Sequence, residues 1–410
     1  MMNVAFLWNW PVNEFTGGVG VVTKVLAKEM QSRGHRVIFI APVTQEEKSR
    51  NARLLESIGM NQDTYPYVAP QYYVDAALPL DDVVSEITGI LDANGINMVV
   101  AQDLDQVEID ILGRLLDKYV KIIVKHSQPF EAYDYVKNIY RGYEAKNLSQ
   151  KVWKYLVLAC PWLGRMRKLR LNVRLYKKAT SSADRLCLLS SGFITRLLRF
   201  MPDLDKRKLC YINNPNTFTD SSIDVNVKEN LVIIVCRLEE STKNVTDFMK
   251  AWKMIEQIHP DWKAEIVGGG NDMQLLINRC KNLGLRSLSF VGYQSNVVNY
   301  YQRAKMVCVT SWYEGWPMVI VEGMSNGCVP IVYDTFESIR DIFDDGVSGL
   351  IVESCTPAEL FNKLNMLMTN SEKYKSLSDH AIEKVQQFTP SKIVDEWEKL
   401  YQEIKKEKYV

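Results

Sequence analysis

Residues 311–327 read SWYEGWPMVIVEGMSNG. The apolar run before them, residues 306–310, predicts a buried strand. A loop carrying Glu314 and Gly315 follows, then Pro317, then a helix ending near Gly327. Proline suits the first helical position and glycine suits the end. A helix that opens just after a strand offers free backbone N–H groups and a positive dipole end, which suit a diphosphate. Glu314 and Glu322 have seven residues between them, the first in the loop and the second in the helix. Each carboxylate can accept hydrogen bonds from a sugar hydroxyl. Two surface glutamates beside an ordinary helix would show the same spacing; the strand–loop–Pro–helix setting favours binding.

Upstream, residues 236–244 read CRLEESTKN. Arg237 ends a predicted strand and Lys243 stands near the start of a helix. Cations at the carboxyl end of a strand face the ligand crevice of an open α/β sheet, where they can neutralise a nucleoside diphosphate. Glu239 and Glu240 are close enough in sequence to pair with them instead. Residues 267–271, VGGGN, lack the third glycine of the dinucleotide fingerprint and read equally well as a tight turn. Gly17 and Gly18, after the first strand, allow a ligand to approach the backbone closely.

The same alternation of strand and helix runs through the whole chain. Strands are expected at residues 3–8, 35–42, 98–101, 121–125, 185–189 and 209–212, with helices at 18–33 and 81–94 among them. A polar, turn-rich stretch at 213–230 reads as a linker. Beyond it, strands are expected at 231–237, 264–267, 288–291, 306–310, 329–333 and 350–352, and helix from 357 to the end, broken near 389–390. Alternation of this kind argues a parallel sheet covered by helices. At 410 residues two such domains are expected: 1–215, 216–390, and a C-terminal helix, 391–410, returning to the first.

Composition narrows the function. A net charge of +1 gives no overall basic surface for nucleic acid. The start, MMNVAFLWNW, reads as a strand and not as a signal peptide, and no apolar run reaches the length of a membrane span. The cysteines stand singly, without the spacing of a zinc site, as buried reduced thiols of a cytosolic protein would. Asp103 and Asp105 form a D-x-D trio that could suggest a metal; after a strand, a helix cap is the better reading. Charge is nevertheless segregated: residues 145–178 hold ten Lys or Arg and no Asp or Glu, interleaved with Trp153, Leu156, Trp162 and Leu169. Pro161 and Gly164 divide this stretch into two short helices. Such a mixture suits a helix lying on an anionic membrane surface, and equally a pair of core-packed helices with a solvated basic face.

Arg237 and Lys243, Phe290-Val-Gly-Tyr, Ser311-x-x-Glu314-Gly-x-Pro317, Glu322-Gly-Met and Gly327-x-x-Pro330 occur in one order. Together they resemble retaining glycosyltransferase family 4 (glycosyl transferases group 1), of the GT-B fold. The resemblance implies an α/β protein of two Rossmann-like domains facing each other across a cleft. It implies a retaining, metal-independent enzyme with no cofactor. A hexose-type sugar would move from a nucleotide diphosphate sugar, UDP-sugar favoured, to a glycan or lipid-linked glycan acceptor. Cell-surface polysaccharide or lipopolysaccharide synthesis would be its setting, in the cytoplasm and peripherally on the inner face of the membrane. By the same resemblance Glu322 would hold the ribose hydroxyls. Glu314, with Gly315, would meet the donor sugar. Arg237, Lys243 and the amides near Met318 and Val319 would bind the diphosphate, and Gly292 and Tyr293 would meet the base. His126, ending a strand of the first domain, would stand near the anomeric carbon, with Gly17 and Gly18 approaching the ligand. The alternatives are another GT-B enzyme, such as a sugar-nucleotide epimerase, or a non-catalytic binding subunit. An NAD-linked oxidoreductase lacks its phosphate fingerprint here.

Overall fold

A computed structural model describes residues 1–10, 17–56, 67–131, 147–218 and 228–409. The chain forms two compact units. One comprises Met1–His126, Leu171–Thr217 and Pro390–Val410; the other comprises Ser127–Arg170 and Phe218–Thr389. A single cut near residue 215 therefore does not separate them, because Ser127–Arg170 groups with the second unit.

The first unit is built on seven strands: β1 (Val4–Leu7), β2 (Val37–Val43), β3 (Gln71–Asp75), β4 (Met98–Ala101), β5 (Val120–Lys125), β6 (Arg185–Leu188) and β7 (Leu209–Tyr211). All are parallel, in the order β3-β2-β1-β4-β5-β6-β7. β1 is an interior strand and wholly buried, with Val4 in register with both Val37 and Met98. A strand covered on both faces reads as a continuous apolar run, and β1, β2, β4 and β6 are buried at every residue. The final helix, Pro390–Tyr409, packs against the helix Gly17–Ser32. Arg33 to Asp395 (2.6 Å), His35 to Glu398 (2.7 Å) and Lys408 to the Tyr119 carbonyl (2.7 Å) fasten it to this unit.

The second unit repeats the plan with β8 (Glu229–Val235), β9 (Lys263–Val267), β10 (Leu288–Gly292), β11 (Ala304–Val309), β12 (Val329–Tyr333) and β13 (Leu350–Val352). They too are parallel, in the order β10-β9-β8-β11-β12-β13. Its core centres on Trp252 and Phe248, stacked at 5.8 Å between ring centroids. In both sheets the order reverses beside the first strand. That reversal leaves a crevice at the carboxyl ends of β1 and β4 in one unit and of β8 and β11 in the other.

Two sequence expectations are corrected. Gly164 does not divide the basic segment: one helix ends at Ala159 and the next runs unbroken from Pro161 to Ser182. The C-terminal helical region breaks at Asn370 as well as near Pro390, because Asn370 caps a new helix by accepting the Lys373 amide at 2.8 Å.

The glycine turn after β9 lies against the chain that leaves β8. The Leu238 amide donates to the Gly269 carbonyl at 2.8 Å, and Gly268 has φ 141°. A Cβ on Gly268 would come within 1.9 Å of the Cys236 carbonyl oxygen, a backbone atom with nowhere to go. A Cβ on Gly269 would make only ordinary contact, 3.5 Å from the Tyr293 side chain. We therefore expect Gly268→Ala to cost about 2 kcal/mol or more in urea unfolding. Gly269→Ala should stay within about 0.5 kcal/mol of the parent.

Candidate functional site

The chain leaving β8 carries Arg237 and then a single helical turn, Glu240–Lys243, ended by Asn244 in the left-handed region (φ 50°). Backbone contacts bind this turn to the end of β11. The Trp312 amide donates to the Thr242 carbonyl at 2.8 Å, and the Thr310 hydroxyl donates to the Lys243 carbonyl at 3.1 Å. From the glycine turn, the Asp272 carboxylate accepts the Glu240 amide at 2.8 Å. Arg279 reaches both Glu240 (3.1 Å) and Thr246 (2.6 Å). Lys243 is thus placed by three neighbouring segments before any ligand is considered.

Its ammonium meets the Glu314 carboxylate at 2.5 Å. Both side chains are largely buried. Burial alone would lower the Lys243 pKa, but the Glu314 charge and hydrogen bond outweigh it, and the ammonium is held above its ordinary value. The loop bearing Glu314 is itself tied down. The Thr335 hydroxyl donates to the Ser311 carbonyl at 2.6 Å, and that of Ser338 to the Gly315 carbonyl at 2.7 Å. Trp316 is buried edge-on against Phe388, with ring centroids 5.2 Å apart.

Pro317 then precedes the helix Met318–Ser325. Met318 and Val319 are its first two residues, whose N–H groups have no partner inside a helix. Glu322 follows one turn later. Its Oε2 accepts the Tyr301 hydroxyl at 2.9 Å. The helix can lie close on β11 because residue 323 is glycine; a Cβ there would meet Val307 at 2.8 Å. Gly292 ends β10 with φ 84°, and Tyr293 beyond it is 70% exposed. Arg237 is 76% exposed at its side chain and turned onto Glu239 at 3.0 Å. The two cations are therefore unlike: Lys243 is largely buried against Glu314, and Arg237 is exposed and paired with Glu239. The sequence pattern did not single out Asp272, Tyr301, Thr335 or Ser338. Only Asp272 carried a signal, as an acidic residue closing the glycine turn.

The remaining residues that the sequence singled out belong to the first unit. Gly17 (φ 73°) and Gly18 are exposed at the start of their helix. His126 directly follows β5, half-buried, with Nε2 3.0 Å from Gln102 Oε1. An amide oxygen only accepts, so the neutral ring carries its proton on Nε2. Thr23 Oγ1 lies 3.2 Å from the same oxygen. Asp105 caps the helix Gln106–Arg114 by accepting the Val107 amide at 2.8 Å. Glu108, fully buried, accepts the amides of Asn9 and Asp103, both at 3.1 Å, and so joins the ends of β1 and β4. Burial pushes its carboxyl well above the usual range, and the charges of Asp103 and Asp105 add to this.

The helices Leu148–Ala159 and Pro161–Ser182 present an unusual surface. Leu148 (77% exposed), Val152, Tyr155 (69%) and Leu156 fall on one face of the first. Trp162 (62%), Met166 and Leu171 are exposed on the second, among Arg165, Arg167 and Arg170. Among the described residues, no helix is long and apolar enough to cross a membrane.

Burial lowers the His126 pKa from 6.5 to about 4; the Asp103 charge opposes this and the Lys125 charge adds to it. Between these values the unfolded chain takes up a proton that the folded chain does not. Stability is therefore full above about pH 6.5 and is lost as pH falls toward about 4. Urea unfolding of His126→Gln, compared with the parent across this window, should show the parent losing up to about 3 kcal/mol that the variant keeps.

Residues 216–384 match the family described as Glycosyl transferases group 1. An uncharacterized glycosyltransferase of Haemophilus influenzae is 27% identical over 45% of this chain. In Campylobacter jejuni, the GalNAc-alpha-(1->4)-GalNAc-alpha-(1->3)-diNAcBac-PP-undecaprenol alpha-1,4-N-acetyl-D-galactosaminyltransferase is 31% identical over 48%. The chain spans about half the length, 53%, of each of these relatives. The solved structure of Anabaena HepE in complex with UDP-glucose superposes with a TM-score of 0.69 at 16% identity, over 98% of this chain and 100% of that one. The two parallel sheets are those of the GT-B fold, and residues 216–384 form a domain of the glycosyl transferases group 1 family.

Proposed function

We propose that the protein is a retaining glycosyltransferase that takes a hexose-type sugar from a nucleotide diphosphate sugar, a UDP-sugar in the first instance. The observation that carries this reading is the gathering of Lys243, Glu314, Glu322 and the Met318–Ser325 helix start beside β8 and β11. As the glycosidic bond to the leaving group breaks, positive charge builds on the anomeric carbon and negative charge on the diphosphate. Lys243, Arg237 and the amides of Met318 and Val319 oppose the negative charge electrostatically. Glu314 and Gly315 meet the sugar, Glu322 the ribose, and Gly292 with Tyr293 the base. In the first unit His126, neutral at physiological pH, offers a polar ring to a ligand, and Gly17 and Gly18 offer exposed backbone. Retention is consistent with the diphosphate taking the acceptor proton on the face it leaves. This chemistry uses protein cations where other enzymes use a metal ion, and the Asp105 carboxylate is engaged as a helix cap.

The acceptor we propose is a glycan or lipid-linked glycan of cell-surface polysaccharide or lipopolysaccharide synthesis. The Campylobacter jejuni relative is named for an undecaprenol-linked substrate. The exposed apolar and cationic faces of Leu148–Ala159 and Pro161–Ser182 suit the surface of an anionic bilayer, where such an acceptor resides.

Three measurements test these statements. Glu322→Ala and Lys243→Ala should each weaken binding of the nucleoside diphosphate roughly ten- to hundred-fold, the worth of a charged hydrogen bond. Glu314→Ala should lower turnover more than nucleotide affinity; wild-type behaviour in all three sinks the assignment. Activity should survive EDTA, and a loss that manganese restores would contradict the metal-independent reading. Finally, the protein should sediment with phosphatidylglycerol vesicles at low salt and be released as salt rises. Replacing Arg165, Arg167, Lys168 and Arg170 with Gln should abolish this while donor hydrolysis continues. No sedimentation at low salt rejects the membrane surface.

A further inference from the structure

Tyr301 lies in the helix Val298–Arg303, which leads into β11. It is completely buried, yet its hydroxyl donates to Glu322 Oε2 at 2.9 Å. The ring is locked on every side that the core offers. Phe218 tilts against it at 6.0 Å between centroids, and Leu231, Ile233, Ala304, Val307 and Cys328 share its cluster. The backbone under the ring is pinned as well. The buried ammonium of Lys228 donates to the Tyr301 carbonyl at 2.8 Å and to the Ala304 carbonyl at 2.5 Å. A phenol held in this way has one direction in which to donate. Burial, reinforced by the Glu322 charge and hydrogen bond, raises its pKa well above the ordinary value, so the group stays a donor at every physiological pH.

A glutamate side chain has three rotatable bonds, and a carboxylate that must meet two vicinal hydroxyls works only in a narrow range of them. Ordering those bonds on binding would cost affinity. A buried phenol that holds one carboxylate oxygen removes part of this cost in advance and limits the directions the carboxylate can take.

We propose that Tyr301 is a positioning residue for Glu322: it fixes the carboxylate in the orientation that recognises the ribose, and so sets the preference of the site for ribonucleotides. This inference rests on Glu322 binding the ribose, as proposed above. Packing alone would also place a tyrosine here, with Glu322 serving only to satisfy a buried hydroxyl. The two roles differ in what they do to discrimination between ribose and deoxyribose.

The test is calorimetric binding of UDP and of 2′-deoxy-UDP to the full chain. Tyr301→Phe keeps the ring and its packing, and its folding is checked by urea unfolding. The parent should prefer UDP about ten-fold or more. Tyr301→Phe should bind UDP about five- to ten-fold more weakly and 2′-deoxy-UDP as before, so the preference collapses. Glu322→Ala should collapse it too, and Tyr301→Phe should add nothing in the Glu322→Ala background. A Tyr301→Phe variant that keeps the parent's preference, or loses both affinities equally, overturns the positioning role while the Glu322 reading stands. A Glu322→Ala variant that keeps the preference overturns both.

Discussion

The contact between Lys243 and Glu314 joins the two strand ends that border the crevice of the second unit, at 2.5 Å and with both side chains largely buried. Neither charge could be left there alone. Removing one partner of a buried pair strands the other, at a cost of about 3–5 kcal/mol. The surroundings are accordingly arranged to hold both. Thr310 and Trp312 bond the lysine turn to β11, and Asp272 ties that turn to the glycine loop. Thr335 and Ser338 hold the glutamate loop from below. The glycines follow from the same constraint. Only a residue without a Cβ lets the turn after β9 lie against the Cys236 carbonyl, and so bring Asp272 to Glu240.

Much of the fold was legible in the sequence for a physical reason. Strands buried on both faces write themselves as unbroken apolar runs, and β4, β12 and β13 fall at the residues their runs predict. β3 did not show, because an edge strand carrying Gln71, two half-buried tyrosines and Asp75 has no such run; only its pairing with β2 defines it. Gly164 misled for the opposite reason. Glycine weakens a helix by only about 1 kcal/mol, which the surrounding helix-formers overcome. Asn370 begins a helix without the proline or glycine that would have marked the break.

The sequence singled out Arg237 and Glu314 as candidates because each stands where a strand gives way to a helix. The supporting residues were not singled out. Tyr300 and Tyr301 are adjacent and chemically identical, and only the packing of helix on sheet decides which one is buried beneath Glu322. Glu108 stands three residues after a cap, where it would be expected to bond the amide of Asp105. It reaches back to Asp103 and Asn9 instead, joining two strands far apart in sequence. Side-chain networks of this kind belong to tertiary structure, and no local pattern announces them.

The proposed activity rests on one claim, that the crevice of the second unit binds a nucleotide diphosphate sugar. The most direct measurement is a thermal-shift series with UDP-, GDP- and ADP-sugars and with NAD(P), followed by assay of the best binder for release of its nucleoside diphosphate. On that claim a nucleotide sugar, a UDP-sugar first, stabilises the protein and slowly releases its nucleoside diphosphate. Stabilisation by NAD(P) alone, or by none of these ligands, would contradict it.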